Sequence, residues 1–211
     1  IYIADNLARI ADPVFTEGGK SGPAVLVALY AFAFQIFCDF DGYSNMARGL
    51  AKMLGIELMV NFNVPYFSSN PREFWQRWHI SLSSFLRDYL YIPLGGNRQG
   101  PVRTGINLMV TMLLGGLWHG ASWTFVLWGA YHGVLLIMHR WWSELTARWP
   151  RAEGPLAFLW KGIRVVFFFH LVCLSWLIFR ASSWEQLHAL SWSLLGNWTW
   201  IELSATAGVW K

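Results

Sequence analysis

Residues 23–38 read PAVLVALYAFAFQIFC, a run without a single charged side chain. That length is at the short end for crossing a hydrocarbon core about 30 Å thick. Three further apolar runs follow, at 105–118, 122–138 and 163–179. The composition agrees with them. Of 211 residues, 55% are hydrophobic, 18% aromatic and 13% charged, and mean hydropathy is +0.35. An ordinary soluble domain is about 25% charged. A disordered chain, a disulfide-rich secreted module and most soluble enzymes are excluded. The expected class is an all-α, multi-pass membrane protein, with Trp and Tyr available for interfacial belts.

Charge orders the loops. The formal net charge is +4, but the Lys and Arg residues are scattered, which argues against a nucleic-acid partner. The 39–104 segment carries Arg48, Lys52, Arg72, Arg77, Arg87, Arg98 and Arg103. The 140–164 segment carries Arg140, Arg148, Arg151, Lys161 and Arg164, while the link near Gly120 carries none. Four alternating spans put both basic segments on one side, which the positive-inside rule makes cytoplasmic. Cys38 and Cys173 form neither a disulfide framework nor a zinc spacing. The chain opens Ile1-Tyr2-Ile3, with no initiator Met and no signal-peptide pattern. It is therefore expected to be an internal piece of a longer protein: one partial membrane domain over 1–211, with its motifs within about 30–180.

Local signals fill in the rest. Residues 1–20 suit a short interfacial helix ending at Gly18-Gly19. The first span is expected to stop at Asp39-Phe40-Asp41, with a weaker helix from Asn45 to Leu54. Asn70-Pro71-Arg72-Glu73 has the residues of a helix start: an Asn N-cap, a Pro in the first turn and a Glu at N3. From there the pattern predicts one basic amphipathic helix to about Tyr89, lying on the membrane surface. A last amphipathic helix is expected over 184–195.

Ionisable groups at membrane depth are functional candidates. His119 breaks an apolar run in Gly115-Gly116-Leu117-Trp118-His119-Gly120. A helix over 105–118 covers about 21 Å, which places His119 within the membrane. His79 stands second, beside Trp78 on the amphipathic helix. His132 lies thirteen residues past His119, about 20 Å along a continuous helix, so a packing or access role is expected. His139 and His188 suit interfaces, and His170 sits in a span without a motif. Asp39 and Asp41 close the first span. There is no Walker-type loop, no GxSxG and no Cys/His cluster.

Five blocks stand in order: Asp39-Phe40-Asp41-Gly42-Tyr43-Ser44-Asn45; Arg72-Glu73-Phe74-Trp75-Gln76-Arg77-Trp78-His79-Ile80-Ser81-Leu82-Ser83; Arg87-Asp88-Tyr89-Leu90-Tyr91-Ile92-Pro93-Leu94-Gly95-Gly96-Asn97-Arg98; Gly116-Leu117-Trp118-His119-Gly120-Ala121; and Trp128-Gly129-Ala130-Tyr131-His132-Gly133. Together they resemble the membrane-bound O-acyltransferase (MBOAT) family, in its bacterial alginate O-acetyltransferase branch. Asp41 and Asn45 depart from that branch, which more often has Ser and Asp there. The resemblance implies a partial MBOAT fold with interfacial helices and re-entrant loops, in a bacterial inner membrane. It implies that His119 matches the active-site histidine and His79 a second functional position.

The resemblance also implies a chemistry. A thioester is already activated, so the difficulty is deprotonating a hydroxyl whose own pKa is far above neutrality. A neutral His119 can take that proton as general base. Oxyanion donors are candidates among Trp118, Trp123 and Asn107. Arg72, Arg77 and Arg87 would recruit an anionic donor, acetyl-CoA or an acyl carrier protein. No bound cofactor or metal is implied. The acyl group would pass to a periplasmic acyltransferase or glycan acceptor, alginate or another extracellular polysaccharide. Peptidoglycan O-acetylation and D-alanyl transfer to teichoic acid are the alternatives within the family. Two other classes stay open: a channel with His119 as proton relay, disfavoured by the weakly charged spans, and a b-type haem protein using His119 or His132 with His170.

Overall fold

The computed structural model describes residues 2–17, 20–149 and 153–198. These form α1 (Tyr2–Glu17), α2 (Gly22–Met53), α3 (Pro71–Trp75), α4 (Ile80–Leu86), α5 (Gly100–Trp118), α6 (Trp123–Leu145), α7 (Gly154–Arg180) and α8 (Trp184–Gly196). A 3-10 turn at Pro65–Phe67 and a π-helical turn at Arg87–Tyr91 complete the set, and no strand occurs among the described residues. All four apolar runs lie in helices. Two of those helices, α2 and α7, are long and apolar enough to cross a bilayer. Gly18-Gly19 and Arg151 lie outside the described residues.

The first span does not stop at Asp39. α2 runs unbroken for 32 residues, about 48 Å, beyond any hydrocarbon core. Asp, Gly and Asn are only weakly unfavourable in helices, and tertiary ties override them. Ser44 is buried and its hydroxyl accepts from Asn61 Nδ2 at 3.4 Å; Arg48 Nε donates to the Leu58 carbonyl at 3.4 Å. α5 likewise begins at Gly100 rather than near Gly105. Its 19 residues cover about 28 Å, so His119 stands at the far end of a nearly full-length helix.

The expected surface helix over 70–89 is broken and folded inward. Its start is as the sequence predicts: Asn70 Oδ1 accepts from Glu73 N at 2.9 Å, and Glu73 Oε2 accepts from Ser69 N at 2.8 Å. The helix ends at Trp75 and resumes only at Ile80 because the stretch between pairs with the chain at 61–63. Asn63 N donates to the Arg77 carbonyl and Ile80 N to the Asn61 carbonyl, both at 2.9 Å, while Phe74 and Trp78 are buried. Trp78 packs on Trp176 of α7 at 4.9 Å and on Phe62 at 5.0 Å. The segment between α2 and α5 is therefore packed against α7 and is not one continuous helix.

Three contacts set the helix arrangement. α5 and α6 form a tight antiparallel hairpin, because Gly116 and Gly129 let the backbones touch. Tyr131 of α6 donates its hydroxyl to the Leu171 carbonyl of α7 at 2.9 Å. Tyr30 of α2 meets His170 of α7. His170 Nδ1 lies 2.7 Å from the Val166 carbonyl and so carries the proton; Nε2 accepts from Tyr30 Oη, also at 2.7 Å. Tyr30→Phe should keep the ring contact with Phe169 and lose only this bond. The expected cost is roughly 0.5–1.5 kcal/mol, read by denaturant unfolding in bicelles. An unshifted midpoint would show that the bond does not hold α2 to α7.

Candidate active site

His79 immediately precedes α4 and has φ +42°, ψ +57°. That left-handed conformation is uncommon for a residue with a side chain. As the N-cap, it would ordinarily satisfy the first N–H groups of the helix. Asn61 does so instead: its carbonyl accepts from Ile80 N at 2.9 Å and its Oδ1 from Ser81 N at 3.1 Å. The imidazole is released from capping. It stands edge-on to Phe40 at 4.6 Å, with Nδ1 3.3 Å from Ser81 Oγ. Local backbone strain of this kind concentrates at functional positions. Burial, with His119 nearby, pushes the His79 pKa down to about 4, so the ring is neutral at physiological pH.

His119 caps the C-terminus of α5. Its half-buried ring is edge-on to Trp118 at 5.0 Å, Phe179 at 5.1 Å and Trp128 at 5.2 Å. No side chain among the described residues hydrogen-bonds it. The Trp118 indole also lies 6.1 Å from the His79 ring. The two histidines singled out by sequence thus flank one indole, which is largely exposed.

His132 is not remote. The continuous helix assumed for 119–132 is interrupted by Gly120–Ser122, which reverses the chain into α6. Trp128 therefore touches both rings, His119 at 5.2 Å and His132 at 4.9 Å. The 20 Å separation expected from helix rise does not hold.

The other candidates divide. Asn107 is fully buried and donates Nδ2 to the Gly96 carbonyl at 3.0 Å. Twelve residues before His119 on one helix, it sits about 18 Å away and holds the 93–98 loop instead of facing the histidines. Trp123 is 82% exposed and makes no ring contact with either histidine. Arg77 is tied to Glu73 at 2.7 Å. Arg72 and Arg87 line a cavity of about 870 Å³ between the α3–α4 region, α5 and α6. Trp75, Met112 and Leu136 also line it, as do His139, Arg140 and Glu144, with Arg140 paired to Glu144 at 3.0 Å and Arg87 to Asp88 at 2.7 Å. His170 has both nitrogens engaged, by Tyr30 and the Val166 carbonyl.

Residues 22–179 match the description of the membrane-bound O-acyltransferase family. The chain belongs to that family. The MBOAT assignment makes it a membrane protein and accounts for the α2 and α7 spans. It is 49% identical over 208 residues to a probable alginate O-acetylase AlgI of Azotobacter vinelandii, covering 97% of this chain and 40% of that protein. A Pseudomonas aeruginosa protein of the same description is 46% identical over 209 residues, 97% of this chain and 38% of the relative. A peptidoglycan O-acetyltransferase of Helicobacter pylori is 41% identical over 187 residues, 88% of this chain and 34% of the relative. The chain spans about two fifths of the length of the first two. Sequence reasoning missed three parts of this candidate site: Trp128 as the ring joining two histidines, Asn61 as the distant cap, and His139 and Arg140 as cavity residues. For α6 a signal existed. Trp128, His132, Leu136, His139 and Ser143 recur at helical spacing on one face.

Proposed function

We propose that the full-length protein is an O-acyltransferase that moves an acetyl group from a cytoplasmic thioester to a hydroxyl of an extracellular polysaccharide, with alginate as the leading acceptor. The observation that carries this reading is the pair of imidazoles, His79 and His119, flanking the Trp118 indole. His119 is the general base. His79, neutral and held by its strained backbone, supports the same proton transfer. Trp118, exposed between them, contacts the acyl group or the acceptor. The cavity beside Trp75 admits the anionic donor, acetyl-CoA or an acyl carrier protein arm, with Arg72 and Arg87 at its mouth. The basic 39–104 and 140–164 segments support a cytoplasmic mouth, in a multi-pass protein of a bacterial inner membrane. Delivery to the acceptor then falls to a periplasmic acyltransferase or glycan machinery.

Deleting the gene and restoring it in the host tests the acceptor. O-acetyl content should fall in the secreted polysaccharide and return with the full-length protein. Loss from peptidoglycan instead would select the second reading, which the Helicobacter pylori relative favours. Unchanged acylation of polysaccharide, peptidoglycan and teichoic acid alike would defeat both. The donor reading has its own test. Arg72→Glu with Arg87→Glu should raise the apparent KM for the donor roughly tenfold and flatten its salt dependence. Arg77→Glu should weaken the α3 cap through Glu73 without that kinetic change. An unaltered KM in the double variant would remove these arginines from donor binding.

A further inference from the structure

Three ring systems between the cavity and His119 carry buried nitrogens without a hydrogen-bond partner among the described residues: Trp75 Nε1, Trp128 Nε1 and both nitrogens of His132. His132 is 0% exposed and Trp128 2%. A buried polar group without a partner costs about 1–3 kcal/mol, and native proteins leave few of them. These are also adjacent. His132 stacks on Phe74 at 5.9 Å and meets Trp75 at 5.1 Å and Trp128 at 4.9 Å edge-on. Trp75 lines the cavity, as does Leu136, one turn from His132 on α6. At the other end, Trp128 lies against His119. A chain of ring contacts thus runs from the cavity through Trp75, His132 and Trp128 to His119.

We propose that His132 and the indole N–H groups of Trp75 and Trp128 hold internal water and form a proton relay between His119 and the cavity. Sites of this kind take water that makes about three hydrogen bonds, and such bridges are nearly as favourable as direct bonds. This rests on His119 being the general base, and it gives that base an exit. In the transfer, the hydroxyl proton moves to His119 as the new C–O bond forms. The C–S bond breaks and its electron pair leaves on sulfur. The thiolate forms beside His119, one bond from the attacked carbonyl, and withdraws with the donor arm into the cavity. The proton passes through water to one His132 nitrogen, leaves from the other, and meets the thiolate there. The proton taken from the acceptor is the one gained by the thiol, so none is consumed. An imidazole suits this step because it donates at one nitrogen and accepts at the other.

The full-length protein in native membranes tests it, with acetyl-CoA as donor and thiol release as readout. His132→Phe keeps the stack on Phe74 and removes both nitrogens. It should lower kcat roughly tenfold or more, leave the donor KM unchanged and enlarge the solvent deuterium isotope effect on kcat. His132→Gln should restore part of the rate. Radiolytic hydroxyl labelling in H2(18)O should mark His132 and Trp128 in the wild-type protein despite their burial. Wild-type kcat and isotope effect in a folded His132→Phe, or no label on either residue, overturns the relay. Should His132→Phe fail to fold, Trp75→Phe decides, since an unchanged isotope effect there is equally fatal. His119→Gln, measured alongside, separates the two readings. Its inactivity with a fully active His132→Phe sinks only the relay, whereas near-normal turnover of His119→Gln sinks the general-base reading itself.

Discussion

His119→Gln in the full-length protein should abolish acyl transfer while leaving insertion and folding intact. Glutamine keeps much of the size and hydrogen bonding of the ring but cannot take a proton at neutral pH. The expected loss in kcat is roughly 10²–10⁴-fold, the range for removing a general base. Little structural damage should accompany it. The His119 ring is half-buried, accepts and donates no side-chain hydrogen bond among the described residues, and touches its neighbours only through ring edges. His79→Gln should be intermediate. Its ring likewise caps nothing, because Asn61 satisfies the start of α4. A His119→Gln protein that turns over near the wild-type rate would transfer the base role to His79.

Gly129→Ala and Gly116→Ala should cost more stability than any other single methyl added to these helices. A Cβ at Gly129 would stand 2.3 Å from the Met112 carbonyl oxygen, and one at Gly116 2.2 Å from that of Phe125. Both obstacles are backbone, so no rotamer change relieves them and α5 must separate from α6. Overpacking typically costs about 1–3 kcal/mol, and backbone clashes belong at or above the top of that range. The functional cost follows from the same geometry, since this hairpin brings Trp128 against His119. Gly49→Ala and Gly162→Ala are the controls. Neither Cβ meets anything within 4 Å, so each should be neutral or stabilising by up to about 1 kcal/mol through helix propensity. Unfolding midpoints in detergent read the difference. A Gly129→Ala midpoint equal to wild type would mean the hairpin is looser than its glycines require.

The sequence by itself determined the class of protein and the location of its helices. Those follow from local physics: uncharged runs of near-membrane length and the Asn70-Pro71 start. It also singled out His119 and His79, because charge-bearing groups are costly in apolar surroundings and the motif blocks name them. Where those side chains meet was decided only by tertiary structure. α2 passes through Asp39 because Asn61 and Arg48 tie its second half down. The 70–89 pattern breaks because residues 77–81 pair with Asn61 and Asn63 instead of continuing the helix. Helix rise put His132 about 20 Å from His119, yet a three-residue reversal sets both against Trp128. Each of these outcomes rests on contacts between residues far apart in the chain. Periodicity and spacing report the energy of a segment with itself, whereas the site is made by segments packing on one another.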